Sequence, residues 1–177
     1  MTRIRLAAGV VTLMVGVAFG VTACGDNENS DTPTTTAEAQ PWDPCTLSDE
    51  ALRAATLDPV PSGTGAEGPG QPGWKGCEWK GEDFAVIVNS SATATVDQFR
   101  NGYGNTDFRD VMVAGREGFT YRDDRDEPGT FCWLVVPFES GGVMNMQVDR
   151  SPFTKDETST CEWAMQVGDA LVAEMPR

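Results

Sequence analysis

Phe131-Cys-Trp-Leu-Val-Val-Pro-Phe138, then Glu139-Ser-Gly-Gly142, then Val143-Met-Asn-Met-Gln-Val148 is the stretch whose reading decides the fold. Two apolar runs of strand length flank four residues rich in types that tolerate positive φ, which predicts a β-hairpin. Its second arm alternates: Met144, Met146 and Val148 point one way, and Asn145, Gln147 and Asp149 the other. A hairpin with one apolar face needs further strands beside it and a layer to cover it.

Working outward, Ser159-Thr160-Cys161-Glu162 fits a capping box, and Ala164, Val167, Leu171, Val172 and Met175 form an apolar stripe, so a helix should pack across the sheet. Upstream, Val111 to Ala114 and Phe119 to Tyr121 have strand composition. So do Trp74 to Trp79 and the run Phe84-Ala-Val-Ile-Val88. A short helix is expected after Thr95, with Val96, Phe99 and Tyr103 on one face. A first helix should begin at Ser48, with Leu47 and Leu52 as a hydrophobic staple, and end near Leu57. The order helix, two strands, helix, four strands, helix predicts the α+β class: an antiparallel sheet of about five to six strands covered by helices. Between Asp58 and Trp74 lies PVPSGTGAEGPGQPG, too rich in breakers for an element of its own. Such length in a compact domain usually marks either function or disorder.

The chain opens with Arg3 and Arg5, an apolar run from Leu6 to about Val21, and Val21-Thr22-Ala23-Cys24. A basic start, a short apolar core and small residues before a cysteine describe a lipoprotein signal peptide over residues 1–23, with Cys24 as the residue that carries lipid. A transmembrane helix would need roughly 20 apolar residues and lacks such an ending. Residues 24–40 contain no large apolar side chain and are expected to form a flexible Thr-rich tether reaching roughly 20–24 Å. Thr32, Thr34, Thr35 and Thr36 around Pro33 also suit O-glycosylation, with a plain linker as the alternative. Residues 41–177 are the size of one domain. The expected place is the outer face of the cytoplasmic membrane, lipid-anchored.

Cys45, Cys77, Cys132 and Cys161 remain once Cys24 is spent on lipid, and an even count in an exported chain reads as a disulfide set. Four cysteines allow three connectivities, and sequence does not choose among them. The expected pairs are the local ones, Cys45–Cys77 and Cys132–Cys161, because each then ties a helix start to a nearby strand.

With 27 acidic and 13 basic residues the formal charge is −14, and loss of Arg3 and Arg5 with the leader makes it more negative. Nucleic acid is therefore not expected as a partner; such a charge can attract cationic proteins or metal ions, and the plainer reading, which is preferred, is an acidic solvated surface. There is no histidine, which removes Ser-His-Asp and Cys-His mechanisms and the usual catalytic zinc sites. Oxidised cysteines remove thiol nucleophiles. No cofactor, metal site or catalytic set is expected. A carboxylate pair drawn from Glu78, Glu82 and Asp83 is what remains for hydrolysis, beside the plainer reading of exposed acids at a strand turn. A Ser-Lys dyad would need Lys75, Lys80 or Lys155 beside a serine in space. Asp123-Asp-Arg-Asp-Glu127 before Pro128-Gly129 lacks the ligand alternation of a calcium loop and reads as a solvated hairpin tip. Asn89-Ser90-Ser91 fits a glycosylation sequon and is read as a strand end. Of five tryptophans, Trp79 should be core beside Cys77, while Trp42 and Trp74 flank loops and are the candidates for a contact surface.

The lipobox, the Thr-rich tether, Pro41-Trp42-Asp43-Pro44-Cys45 with Leu47 and a capped helix, Gly76-Cys77-Glu78-Trp79, and Cys161 opening the last helix together resemble an actinobacterial family of small lipoproteins, the domain of unknown function 3558, over about residues 41–175. The resemblance implies export, lipidation, disulfides and an envelope location, and brings no catalytic residues with it. Two functions are left. The favoured one is a non-enzymatic binding or interaction lipoprotein presenting its sheet face or the 58–73 loop to an envelope protein, a glycolipid or a small ligand. The other is a small envelope hydrolase using paired carboxylates.

Overall fold

Six strands follow the hairpin outward: β1 (Trp74–Lys80), β2 (Phe84–Ser91), β3 (Asn105–Val113), β4 (Arg116–Asp123), β5 (Phe131–Pro137) and β6 (Val143–Arg150). They form one antiparallel sheet in the order β1-β2-β6-β5-β4-β3 in a computed structural model that describes residues 40–65 and 72–177. The leader 1–23, Cys24, the tether short of Gln40 and residues 66–71 of the long loop lie outside the described residues. Among the described residues three α-helices accompany the sheet: α1 (Asp49–Ala54), α2 (Val96–Arg100) and α3 (Thr160–Val172). The fold is α+β, as the order of elements predicts.

Period-two alternation sorts the side chains between the two faces. Cys77 and Trp79, Val86 and Val88, Cys132, Leu134 and Val136, and Met144, Met146 and Val148 point to one face and are buried in one core with α1 and α3, with α3 lying over β5 and β6. There Gly168 brings the helix so close that an added Cβ would stand 2.7 Å from Leu134 Cδ2. Ser159 Oγ accepts from Glu162 N and Glu162 Oε2 accepts from Ser159 N, the reciprocal cap expected from the sequence. At the far end Glu174 accepts both the N–H and the Oγ–H of Ser48, so the end of α3 also holds the start of α1.

Both bridges belong to this layer. Cys45, in a 3-10 turn over Pro44–Thr46, joins Cys77 of β1, and Cys132 of β5 joins Cys161 in the first turn of α3.

Several boundaries differ from expectation for local reasons. α1 stops at Ala54, short of Leu57, because Thr56 takes φ +60° and Leu57 N turns back to Leu52 O at 2.9 Å. α2 ends at Arg100, so Tyr103 is not on its face but 89 % exposed beyond Gly102, where Gly104 at φ +87° turns the chain into β3. β2 runs on through Asn89-Ser90-Ser91, which pair with Asn145, Met144 and Val143. The long loop is not wholly without pairing. Asp58 N donates to Lys80 O, Ser62 N to Glu78 O, and Glu78 N to Gly63 O, so its first part runs beside β1 and covers that edge of the sheet.

Candidate functional site

The opposite face of the sheet carries Trp74, Glu78, Asn89, Gln147, Trp133 and Tyr121, with Phe119 and Val135 at its centre. A flat sheet would hold β1 and β4 about 19 Å apart. Yet the Phe99 ring of α2 lies 6.4 Å from Trp74 on β1 and 6.3 Å from Tyr121 on β4. The sheet therefore curls toward α2, and the five-residue helix fills only part of the hollow.

The part left open is a cleft of about 520 Å³ between α2 and the β3–β4 pair. Phe119 and Val96 give it an apolar floor, and Met112 on β3 stands 58 % exposed at its side. Arg100 lies across it, its guanidinium 4.2 Å from the Phe119 centroid and hydrogen-bonded to Asp110. The stacked cation is fixed by both contacts, while the Asp110 side chain stays 82 % exposed. Glu117 completes an acidic rim. The volume falls in the range of small-ligand and side-chain pockets, and an apolar floor with a few charged groups at the rim is the usual make-up of one.

A second feature of this face is polar. Asn89 is 4 % exposed and its Oδ1 has no hydrogen-bond partner; Asn145 Oδ1, next to it across the β2–β6 ladder, is also buried and unpaired. Gly76 and Gly65 close over Asn89: a Cβ on Gly76 would meet Asn89 Oδ1 at 2.2 Å, so only glycine fits there. Burial holds the Asp149 carboxyl above the usual carboxylate range, and the charge of Glu78 adds to the effect.

The residues singled out in the sequence scatter. Trp42 packs edge-on against Phe138 at 6.3 Å and borders a separate cleft near Pro176. Trp74 packs against Phe99 and borders another with Gln98. Both rings are half-buried, so neither offers a fully exposed platform. Glu78 is half-buried on β1, Glu82 is exposed in the β1–β2 turn, and Asp83 accepts from Thr154, so the three do not form one site. In the Asp123–Glu127 turn, Asp123 holds the Arg125 side chain and Arg125 lies over Tyr103. Among the described residues no three carboxylates converge as metal ligands. Sequence reasoning missed Arg100, Asp110 and Met112. Alternation could place Asp110 and Met112 on one face of a strand, but nothing local signals that the face opens on a cleft.

A family model matches residues 19–174, nearly the whole chain. The chain belongs to the family Protein of unknown function (DUF3558). Its DUF3558 segment begins earlier than the expected 41–175 and takes in Cys24 as well as the folded domain. No curated protein and no solved structure matches the chain.

Proposed function

We propose that this chain is a lipid-anchored binding module of the cell envelope, held through Cys24 on the outer face of the cytoplasmic membrane and taking a protein or glycolipid partner at the cleft beside β3. The observation that carries the binding reading is that cleft: half-buried Val96 and exposed Met112 line it beside a Phe119 ring that Arg100 covers, with Asp110, which holds Arg100, and Glu117 at the rim. Anchoring is supported by Arg3 and Arg5 before the apolar run that ends at Cys24, and by the inclusion of Cys24 in the family segment. Lipid on one cysteine keeps a protein at a bilayer stably only when two or more chains are attached, which is what the lipoprotein pathway supplies.

Cell fractionation tests the anchor. Cys24→Ala should release the protein or leave it as an unprocessed precursor; a variant still processed and membrane-bound like wild type would sink the reading. A photo-crosslinking residue at position 112 tests the site, and should give an adduct in intact cells that the same residue at exposed Phe153 does not.

One observation favours the hydrolase alternative: Asp149 and Glu78 share a face of the sheet, and burial together with the charge of Glu78 raises the Asp149 carboxyl above the ordinary range. On that reading Asp149→Asn and Glu78→Gln would each abolish hydrolysis of an envelope glycan by the purified chain, and absence of any hydrolysis by wild type would end it.

A further inference from the structure

β3 is the last strand of the sheet, with β4 on one side and no strand of the described residues on the other. An edge strand leaves every second pair of backbone N–H and C=O groups unpaired, and proteins usually blunt that edge. At the other edge the blunting is done by Ser62 and Gly63 along β1. On β3 it covers only the first part: Asp107 at φ +50° and the shift in register between Thr106 and Arg109 break the template. From Arg109 to Val113 the pairing with Thr120 to Arg116 is regular, and this intact stretch borders the cleft.

Resting on the binding reading above, we propose that the partner is a protein that adds an extended segment to β3 over Arg109–Val113, with a basic and an apolar side chain two positions apart on the cleft side. Only an extended polypeptide offers alternating donors and acceptors at the spacing a strand edge requires, so the continuity of edge and cleft selects the occupant. Side chains on the cleft side of the added strand stand beside Asp110 and Met112, which are two apart on one face. Asp110 holds Arg100 yet keeps most of its carboxylate exposed, so opposite it a second cation is favoured, and opposite Met112 an apolar group that packs on Met112 and Val96.

A second copy of this chain is a poor occupant. Antiparallel pairing of the same five residues sets Asp110 opposite Met112 twice, and each copy brings a formal charge of −14. That charge instead draws a basic segment.

The probe is the peptide Thr-Lys-Thr-Val-Thr-Lys-Thr, whose pattern reads the same in both directions, added to the isotope-labelled full chain in detergent. Two further forms carry N-methyl groups on alternate residues, one form for each edge of the peptide. The parent should shift the backbone amides of Arg109–Val113 saturably, and methylation of one edge should weaken binding about ten-fold while methylation of the other leaves it unchanged. Shifts confined to side chains of the cleft and indifferent to methylation would overturn strand addition and leave the binding module standing. No shift at Arg109–Val113 with the parent would also overturn it, and the crosslink at position 112 then decides separately whether the cleft binds anything. Concentration-dependent shifts of the same amides without peptide would overturn it in favour of a second copy.

Discussion

Asp149 sits on β6 between Ala85 and Phe131, where burial and Glu78 raise its pKa. The folded state thus binds this proton more tightly than the unfolded chain, whose aspartates titrate at about 3.9. Stability from this group is fully present below that value and is lost as pH rises through the folded pKa. Asp149→Asn should therefore raise the urea midpoint at pH 7 and leave it unchanged near pH 3; an equal effect at both would show that the charge is not the cause. Asp123 is the opposite case. Its hydrogen bonds from the Arg125 side chain pull its pKa down to about 2. The stability it contributes is present above about pH 3.9 and is lost as pH falls toward about 2. A carboxyl titration followed by NMR should place its midpoint near that value, and Arg125→Ala should raise it toward the ordinary aspartate range, short of a full return because the backbone N–H of residue 125 still donates to Asp123. Neither shift was legible in the sequence. Asp123 and Asp149 look alike there, and only their neighbours in space separate them.

Among the elements, the β5–β6 hairpin was legible because its two signals are local: alternation along Met144, Met146 and Val148, and two glycines in the turn. Their roles nonetheless differ. Gly141 has φ +95° with open space around it, whereas Gly142 has φ +86° and an added Cβ would stand 2.1 Å from Ser91 O. Gly141→Ala should cost about 1 kcal/mol for the left-handed backbone. Gly142→Ala must in addition push two strands apart and should cost about 3 kcal/mol or more, read from urea midpoints of the two variants. α3 was legible for the same kind of reason, through its capping box and stripe. α2 was read too long because Tyr103 fits the helical period while Gly102 and Gly104 decide the end.

Across the molecule, the class followed from the order of elements but the strand order did not. β6 lies between β2 and β5, so the last strand in sequence is central in space, and β3 is left at the rim. No short-range pattern encodes that insertion, and with it the cleft beside β3 stayed hidden. The two bridges are spread over this plan, closing loops with separations of 32 and 29 residues. Replacing either pair by serines should lower stability by about 3 to 4 kcal/mol on the chain-entropy account, with the fold retained when only one pair is removed. Equilibrium unfolding of the two double variants checks this, and loss of native circular dichroism in either would mark that bridge as a condition of folding.

The placement of Cys45 has a mechanical side as well. On the proposed anchoring, any drag on the domain arrives through residue 40 and meets Trp42, whose carbonyl is held by Ser90, and then the covalent link from Cys45 to β1. α1 comes after that link in the chain, so tension passes into the sheet without loading the helix. A cell surface under shear would then load the Cys45–Cys77 bridge and β1 before it peeled the N-terminal helix from the core, and a reducing milieu would remove that protection first.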